Sequence, residues 1–97
     1  MSGDAPWYLE WIKSQKCSIP YCRGRIIEAH HRNQDRFSQR KVSDYESMPL
    51  CTTHHRECHQ VGYKEFNNTH NYDQHWQVLH WLIKYIEHLR RDDDLPF

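Results

Sequence analysis

The chain has 97 residues, a formal net charge of zero at pH 7 and a mean hydropathy of −1.06. This length fits a single domain with a small hydrophobic core, and small domains are commonly stabilised by a bound metal ion. Apolar residues make up 37% of the chain and aromatic residues 13%, which argues against an intrinsically disordered protein.

The start of the chain is polar, and no apolar run suited to a signal peptide or a membrane span opens it. We therefore expect a cytoplasmic protein without a membrane partner. In a reducing compartment, cysteines interspersed with histidines are more often metal ligands than disulfide partners. The four cysteines therefore favour zinc over two disulfides.

The first predicted element is a short helix over residues 7–16, in which Trp7 and Trp11 share one face at i,i+4 spacing. A turn follows, with Cys17 and Cys22 at its two ends and with Pro and Gly in and beside it. Such a turn resembles the knuckle that presents a pair of zinc thiolates.

The central part of the chain predicts a hairpin followed by a helix. Residues 25–31 contain β-branched side chains and indicate a strand, and a polar loop connects it to a turn and a return strand within residues 44–50. Two short strands are marginal alone and need a packed helix. We expect that helix to begin near Thr52 or Thr53, either of which can cap it, and to end near Gly62.

A long amphipathic helix is predicted from residue 72 or 73 to about residue 90, after another helical turn over residues 63–69. Its apolar residues at a/d spacing are Trp76, Leu79, Ile83 and Ile86, widened by Val78, Leu82, Tyr85 and Leu89. We expect this stripe to cover the core, and a dimer interface is the alternative use.

The segment from Cys51 to His59 has two potential metal-binding faces when it is placed on a helix. Cys51, His54 and Cys58 share one face, and His55 and His59 share another at i,i+4 spacing. This arrangement predicts two different metal sites within one short helix.

A structural zinc site needs four sulfur or nitrogen donors and leaves no open position. Cys17 and Cys22 supply one half of such a site, and Cys51 with His54 matches a C-x2-H half. We therefore predict zinc bound by Cys17, Cys22, Cys51 and His54. Cys58 is the alternative to His54, although a small buried thiol is its simpler role.

The second face predicts a catalytic metal. His55 and His59 project together from the helix, and His30 or His31 approaches from the end of the first strand. Three imidazoles with open coordination positions can hold a catalytic divalent ion. The strand histidine that does not bind the metal is suited to act as a general base, because its ordinary pKa is about 6.5.

Positive charge is concentrated in one region despite the zero net charge. From Lys13 to Lys41 there are eight basic residues and two acidic ones, and such a field attracts phosphate. The candidate phosphate-binding residues are Arg32, Arg36, Arg40 and Lys41. An ordinary solvated surface is the alternative interpretation of these residues.

Together, these motifs resemble the HNH, or ββα-metal, endonucleases. The matching motifs are Cys17-x4-Cys22, Glu28-Ala29-His30-His31-Arg32, and Ser43 to Leu50 followed by Cys51-x2-His54-His55-x3-His59. The closest likeness is to small phage nucleases similar to the recombination-enhancement nuclease of temperate phages. The resemblance extends from Tyr8 to Phe66, and the last helix matches only in position and amphipathic character.

The resemblance implies an α+β fold with a ββα-metal core and a zinc knuckle, forming a single domain over residues 1–97. The core and knuckle would occupy residues 17–66, between the N-terminal helix and a C-terminal amphipathic helix over residues 72–90. The implied catalytic metal ligands are His30, His55 and His59. His31 takes the place of the general base, and Asp44 that of the central Asn that orients it, with Asn33 as the other candidate.

The implied activity is hydrolysis of DNA phosphodiester bonds in phage or prophage recombination or DNA processing, within a bacterial host cytoplasm. The expected partners are DNA and, as an option, a recombination protein, for a monomer or a homodimer. The expected ions are a structural Zn²⁺ and a catalytic Mg²⁺ or Mn²⁺. Because His30 stands where many members have Asp, Zn²⁺ is a further option at the catalytic site.

Two other functions are compatible with the residues. A non-catalytic zinc module that binds nucleic acid or protein needs only the cysteine site. A zinc hydrolase acting on another substrate could use three histidines to activate water, but Glu57 points away from His55 and His59 on a helix and is a poor base for it.

Overall fold

The computed structural model describes residues 3–34 and 42–92, which form an α+β fold with four helices and one two-stranded antiparallel sheet. The α+β class expected from the sequence is therefore confirmed. In chain order the elements are α1 (Pro6–Lys13), β1 (Ile27–His31), β2 (Ser47–Cys51), α2 (Thr52–Val61), α3 (Tyr63–His70) and α4 (Gln74–Asp92).

The hairpin places the cysteine and histidine motifs at opposite ends of the sheet. Ile27 pairs with Cys51 at one end, and His31 pairs with Ser47 at the other. Strand β2 is buried along its whole length, whereas in β1 only His30 is buried, Glu28 is exposed and the other three residues are partly buried. Because side chains alternate along a strand, His30 and His31 project from opposite faces of the sheet.

Helix α2 begins directly after β2, so the strand and the helix share a junction at Cys51. The expected threonine cap is wrong: Cys51 is the N-cap, and its Sγ accepts a hydrogen bond from the His54 backbone N–H at 3.5 Å. At the other end, Gly62 has a φ of +87°, which favours glycine, and its N–H donates to the Cys58 carbonyl at 2.9 Å. The expected helix end at this glycine is confirmed.

Helix α4 packs with a different face from the one expected. The a/d stripe of α4 is exposed, by 55% at Trp76, 57% at Leu79, 48% at Ile83 and 54% at Ile86. The neighbouring face packs instead, because Tyr8 and Trp11 of α1 meet Trp81 and Tyr85 at ring-centroid distances of 4.9 to 6.1 Å. The expectation that the stripe covers the core is therefore wrong for these four residues, whereas Val78, Leu82 and Tyr85, which widen the stripe, do pack on the core.

Two small buried clusters hold the elements together. One lies around the hairpin and the knuckle, and the other joins α1 to β1 and α4. The first contains Cys17, Ile19, Met48, Leu50, Cys51, Cys58, Phe66 and Tyr72, and the second contains Ala5, Tyr8 and Ile12. Within residues 3–34 and 42–92, no helix combines the length and apolarity needed to cross a membrane.

Replacing a fully buried residue of β2 tests this core. We expect Leu50→Ala to lower the free energy of unfolding by about 2–5 kcal/mol, because Leu50 is fully buried in the hydrophobic cluster around the hairpin. Val61→Ala, at a position 39% exposed, should change it by less than about 0.5 kcal/mol. Urea unfolding at one fixed metal concentration measures both, and equal effects would contradict the assignment of this core.

Candidate metal centres

A tight turn after α1 brings two cysteines to the start of α2. Ser18 anchors this turn, since its N–H and its hydroxyl both donate to the Pro49 carbonyl at 2.9 and 2.8 Å. Gly24 lets the returning chain pass Cys51, because a Cβ at position 24 would lie 2.4 Å from the Cys51 Cβ. The turn therefore places Cys17 and Cys22 beside Cys51.

Three sulfurs and one imidazole nitrogen then converge. The Nδ1 atom of His54 lies 3.6 Å from Cys17 Sγ, 3.5 Å from Cys22 Sγ and 3.2 Å from Cys51 Sγ. The Sγ atoms of Cys22 and Cys51 are 3.7 Å apart. A tetrahedral zinc ion would separate its ligands by about 3.8 Å for S–S and about 3.6 Å for S–N. The four residues therefore form a cluster that can hold a metal ion such as zinc.

The protonation chemistry of the cluster also suits a cation. The Gly24 N–H donates to Cys22 Sγ at 3.3 Å, and this hydrogen bond lowers the pKa of the Cys22 thiol. Burial raises the pKa of Cys17, so its thiolate needs a neighbouring positive charge at neutral pH. The pKa of His54 is lowered, chiefly by burial, which keeps its imidazole neutral and able to donate a lone pair.

Cys58 lies away from this cluster. It is fully buried, with its Sγ 3.8 Å from His30 Nε2 and 3.9 Å from the Gln74 side-chain nitrogen. Burial raises the pKa of the Cys58 thiol, which favours the protonated form. The structure thus brings His54, and not Cys58, together with the three other cysteines.

A second layer supports His54. Its ring packs perpendicular to the His70 ring at a centroid distance of 5.2 Å, and His70 Nε2 lies 3.1 Å from both carboxylate oxygens of Glu57. This packing restricts the rotation of the His54 ring. Neither Glu57 nor His70 is predicted from the sequence to support this site, because their approach depends on the packing of α3 against α2.

A second cluster forms where β1 meets α2. One ligand atom each from His30, His55 and His59 lies within 4.8 Å of the others, and the ring centroids are 4.8 to 5.3 Å apart. The Nε2 atoms of His55 and His59 are 3.1 Å apart. His30 is buried, His55 is partly buried and His59 is exposed, so the cluster is open to solvent on one side.

The hydrogen bonds of this cluster leave nitrogen lone pairs available. His55 Nδ1 donates to Glu28 Oε1 at 2.8 Å, so its Nε2 keeps the lone pair. The Nδ1 atom of His30 is buried and has no hydrogen-bond partner among the described residues. A buried polar atom without a partner is rare, and a cation would satisfy it. Three imidazoles with a supporting carboxylate fit a divalent ion.

Electrostatics keep His30 in the neutral form that a metal ligand needs. Its pKa is lowered from the usual 6.5 to about 4, chiefly by burial and also by the neighbouring His55 and His59. Glu28 was not assigned a role from the sequence, although its position two residues before His30 could have indicated one. Residues i and i+2 of a strand share a face.

His31 and Asp44 form a separate pair on the opposite face of the sheet. His31 Nε2–H donates to Asp44 Oδ1 at 2.8 Å, and the Ala5 N–H donates to Asp44 Oδ2 at 3.0 Å. The Asp44 side chain is only 5% exposed. Its pKa is lowered chiefly by the hydrogen bond from His31, so the carboxylate stays charged at neutral pH.

Asn33, the other candidate for orienting the base, lies beside His30 instead. Its Oδ1 is 3.4 Å from His30 Nε2, and its backbone N–H donates to Gln74 at 2.9 Å. The structure therefore pairs Asp44 with His31.

Of the expected phosphate-binding residues, only Arg32 is described. Its Nε donates to Glu46 Oε1 at 2.8 Å, and its guanidinium also contacts the Gln34 carbonyl, so it links the ends of the hairpin. Arg36, Arg40 and Lys41 lie outside the described residues.

Comparison of the chain with protein-family models, with curated proteins and with solved structures found no match. The two clusters and the His31–Asp44 pair are therefore the features of the molecule that bear on its function.

Removing single cysteines tests the cluster formed by Cys17, Cys22, Cys51 and His54. With Co²⁺ as the probe, we expect thiolate-to-cobalt absorption in the wild type and an affinity at least about 100-fold lower in Cys22→Ala, because one of four ligands is lost. Cys58→Ala is the matched control and should keep the wild-type spectrum. A chelator titration measures the affinities, and loss of the spectrum in Cys58→Ala alone would contradict the ligand set.

The low pKa of His30 predicts an acid-dependent loss of stability when the histidine cluster is free of metal. The unfolded chain binds a proton below about pH 6.5, whereas folded His30 resists protonation down to about pH 4. The contribution of His30 to the free energy of unfolding is therefore retained above pH 6.5 and lost as the pH falls toward 4. At pH 5 the free energy of unfolding should be lower by about 2 kcal/mol. Urea unfolding at pH 7 and pH 5 should show a smaller loss in His30→Gln, and an unchanged loss would refute this prediction.

Proposed function

We propose that the protein is a metal-dependent DNA endonuclease that hydrolyses phosphodiester bonds and is related to the HNH, or ββα-metal, nucleases. The observation that carries the proposal is the convergence of His30, His55 and His59 at the junction of β1 and α2, open to solvent at His59. A closed four-ligand site would suit a structural role, whereas three ligands leave positions for water and substrate.

The two clusters are assigned different ions. Thiolates favour Zn²⁺, so we assign a structural Zn²⁺ to Cys17, Cys22, Cys51 and His54. The histidine cluster would hold the catalytic ion. Three imidazoles suit Mn²⁺, Zn²⁺ or a similar ion, which can compete there with Mg²⁺. When bound, this ion would neutralise charge that develops on the phosphate during hydrolysis.

His31 is the proposed general base. Its Nε2–H is held by Asp44, which leaves Nδ1 as the basic atom that takes a proton from water. The Asp44 carboxylate fixes the ring and stabilises the imidazolium that forms, as a carboxylate does beside other catalytic histidines. His31 is the last residue of β1. The scissile phosphate would therefore lie across that end of the strand.

DNA binding is proposed to depend on the basic segment between the strands. Arg32, Arg36, Arg40 and Lys41 are the candidates for contacts with phosphate. Contacts of this kind are largely independent of base sequence. They weaken as the salt concentration rises, because the release of counterions from DNA then contributes less to binding. The biological setting, phage or prophage recombination in a bacterial cytoplasm, is proposed from the resemblance alone.

The second candidate is a non-catalytic zinc module that binds nucleic acid or protein. It is favoured by the cysteine cluster, which joins the knuckle, β2 and α2 and needs no further ligand. Metal counting separates the two candidates. One tight ion per chain and no DNA cleavage with added Mg²⁺, Mn²⁺ or Zn²⁺ would favour the module.

Plasmid nicking by the His31 variant tests the nuclease proposal. We expect His31→Ala to lower the cleavage rate by about 10²–10⁴-fold, because a positioned general base contributes about that much. The ion content and DNA binding should stay at wild-type levels. Each assay is run with Mg²⁺, Mn²⁺ and Zn²⁺ in turn.

His75→Ala is the matched control, since His75 is an exposed histidine in the first turn of α4, outside both clusters. It should cleave at the wild-type rate. Cleavage by His31→Ala at the wild-type rate with the same ion would reject His31 as the base. Wild-type protein that carries both ions but cleaves no DNA would reject the nuclease proposal itself.

A further inference from the structure

One face of α4 is apolar and exposed although the neighbouring face of the helix is packed. The exposed side chains recur at intervals of 3, 4 and 3 residues, which is the a/d spacing of two paired helices. We call Trp76, Leu79, Ile83 and Ile86 the α4 stripe; each is about half exposed. Soluble monomers rarely present a contiguous row of large apolar side chains, and such rows mark interaction sites.

We propose that the α4 stripe is the interface of a symmetric homodimer, in which α4 pairs with α4 of a second copy. The spacing selects a helix as the occupant, because a/d residues interlock with the same pattern on a facing helix. A second copy of the chain presents the same pattern with the same spacing. Around a two-fold axis, the same patch forms both sides of the interface. The proposal is independent of the nuclease activity.

Charge favours the antiparallel arrangement of the two helices. A parallel pair would set Arg90, which continues the a/d spacing, directly against Arg90 of the other copy. In an antiparallel pair centred near residue 81, Trp76 faces Ile86 and Leu79 faces Ile83. Arg90 then comes level with the segment that contains Asp73 of the other copy, and the two helix dipoles oppose each other.

The packed side of α4 leaves the stripe available for this contact. Val78, Leu82 and Tyr85 pack on the two buried clusters. Helix α4 has 19 residues and is therefore about 28 Å long, which spans the whole stripe. Turning the helix to bury the stripe inside the same chain would expose Trp81 and Tyr85, which contact the aromatic rings of α1.

Sedimentation velocity of the full chain, with both clusters loaded with metal, tests the proposal without DNA. We expect wild-type protein between about 5 and 200 µM to sediment as a dimer of 12.0 kDa chains. Ile83→Glu should raise the dissociation constant on the order of 100-fold, because the change occurs twice in a symmetric interface. Leu79→Lys should have the same effect through a different side chain.

Ile26→Glu is the matched control, since Ile26 is 68% exposed and lies outside α4. It should remain dimeric. Circular dichroism confirms that each variant is folded. A wild-type monomer throughout the concentration range, or an unchanged dimer in both stripe variants, would overturn the proposal, and neither result bears on DNA cleavage.

Distance measurement between spin labels tests the antiparallel arrangement. A label on Arg91→Cys should give a distance of about 30 Å or more between the two copies, since each label lies ten residues from the proposed centre. The labelling is done with metal bound, so that Cys17, Cys22 and Cys51 are ligated and Cys58 is buried. A distance below about 20 Å would overturn the antiparallel arrangement.

Discussion

The position of Cys51 constrains the rest of the structure. Cys51 ends β2, caps α2 and contributes a sulfur to the cysteine cluster, so one residue connects the hairpin, the helix and the knuckle. The cluster can hold a metal ion, and one ion bound by Cys22, Cys51 and His54 together would hold α2 in its direction relative to the sheet. It would thereby also hold His55 and His59 in their positions relative to β1.

A buried polar network lies beside the histidine cluster and connects it to α4. Gln74 is fully buried at the start of α4; its side-chain oxygen accepts from the backbone N–H groups of Asn33 and Gln34, and its nitrogen contacts Cys58. These bonds hold the chain that follows His30 against α4. In a chain with two small cores, hydrogen-bonded buried polar groups supply order that a larger core would provide, and ions bound at the two clusters would add to it. The geometry of the histidines is thus coupled to the docking of α4.

The two clusters differ in access, and this difference supports two roles. The cysteine cluster has four donors and supporting groups around His54, as a closed structural site does. The histidine cluster has three donors and runs from buried His30 to exposed His59. The His31–Asp44 pair lies on the other face of β1, so the proposed chemistry takes place at the strand end, where both faces meet.

Local pattern in the sequence determined the helices and strands and which cysteines and histidines share a helix face, and tertiary packing decided which surfaces meet. The predicted helices and strands agree with the structure to within a few residues, except that α1 ends at Lys13. Periodicity and spacing also placed Cys51 with His54 and His55 with His59, because both pairs lie within one or two helical turns. The exposed side of α4 could not be read in this way, and the partnership of Asp44 with His31 was expected from the family resemblance and not from local spacing. They depend on contacts between segments far apart in the chain, such as Ala5 with Asp44 and Trp11 with Trp81, and local spacing carries no information about which distant surfaces meet.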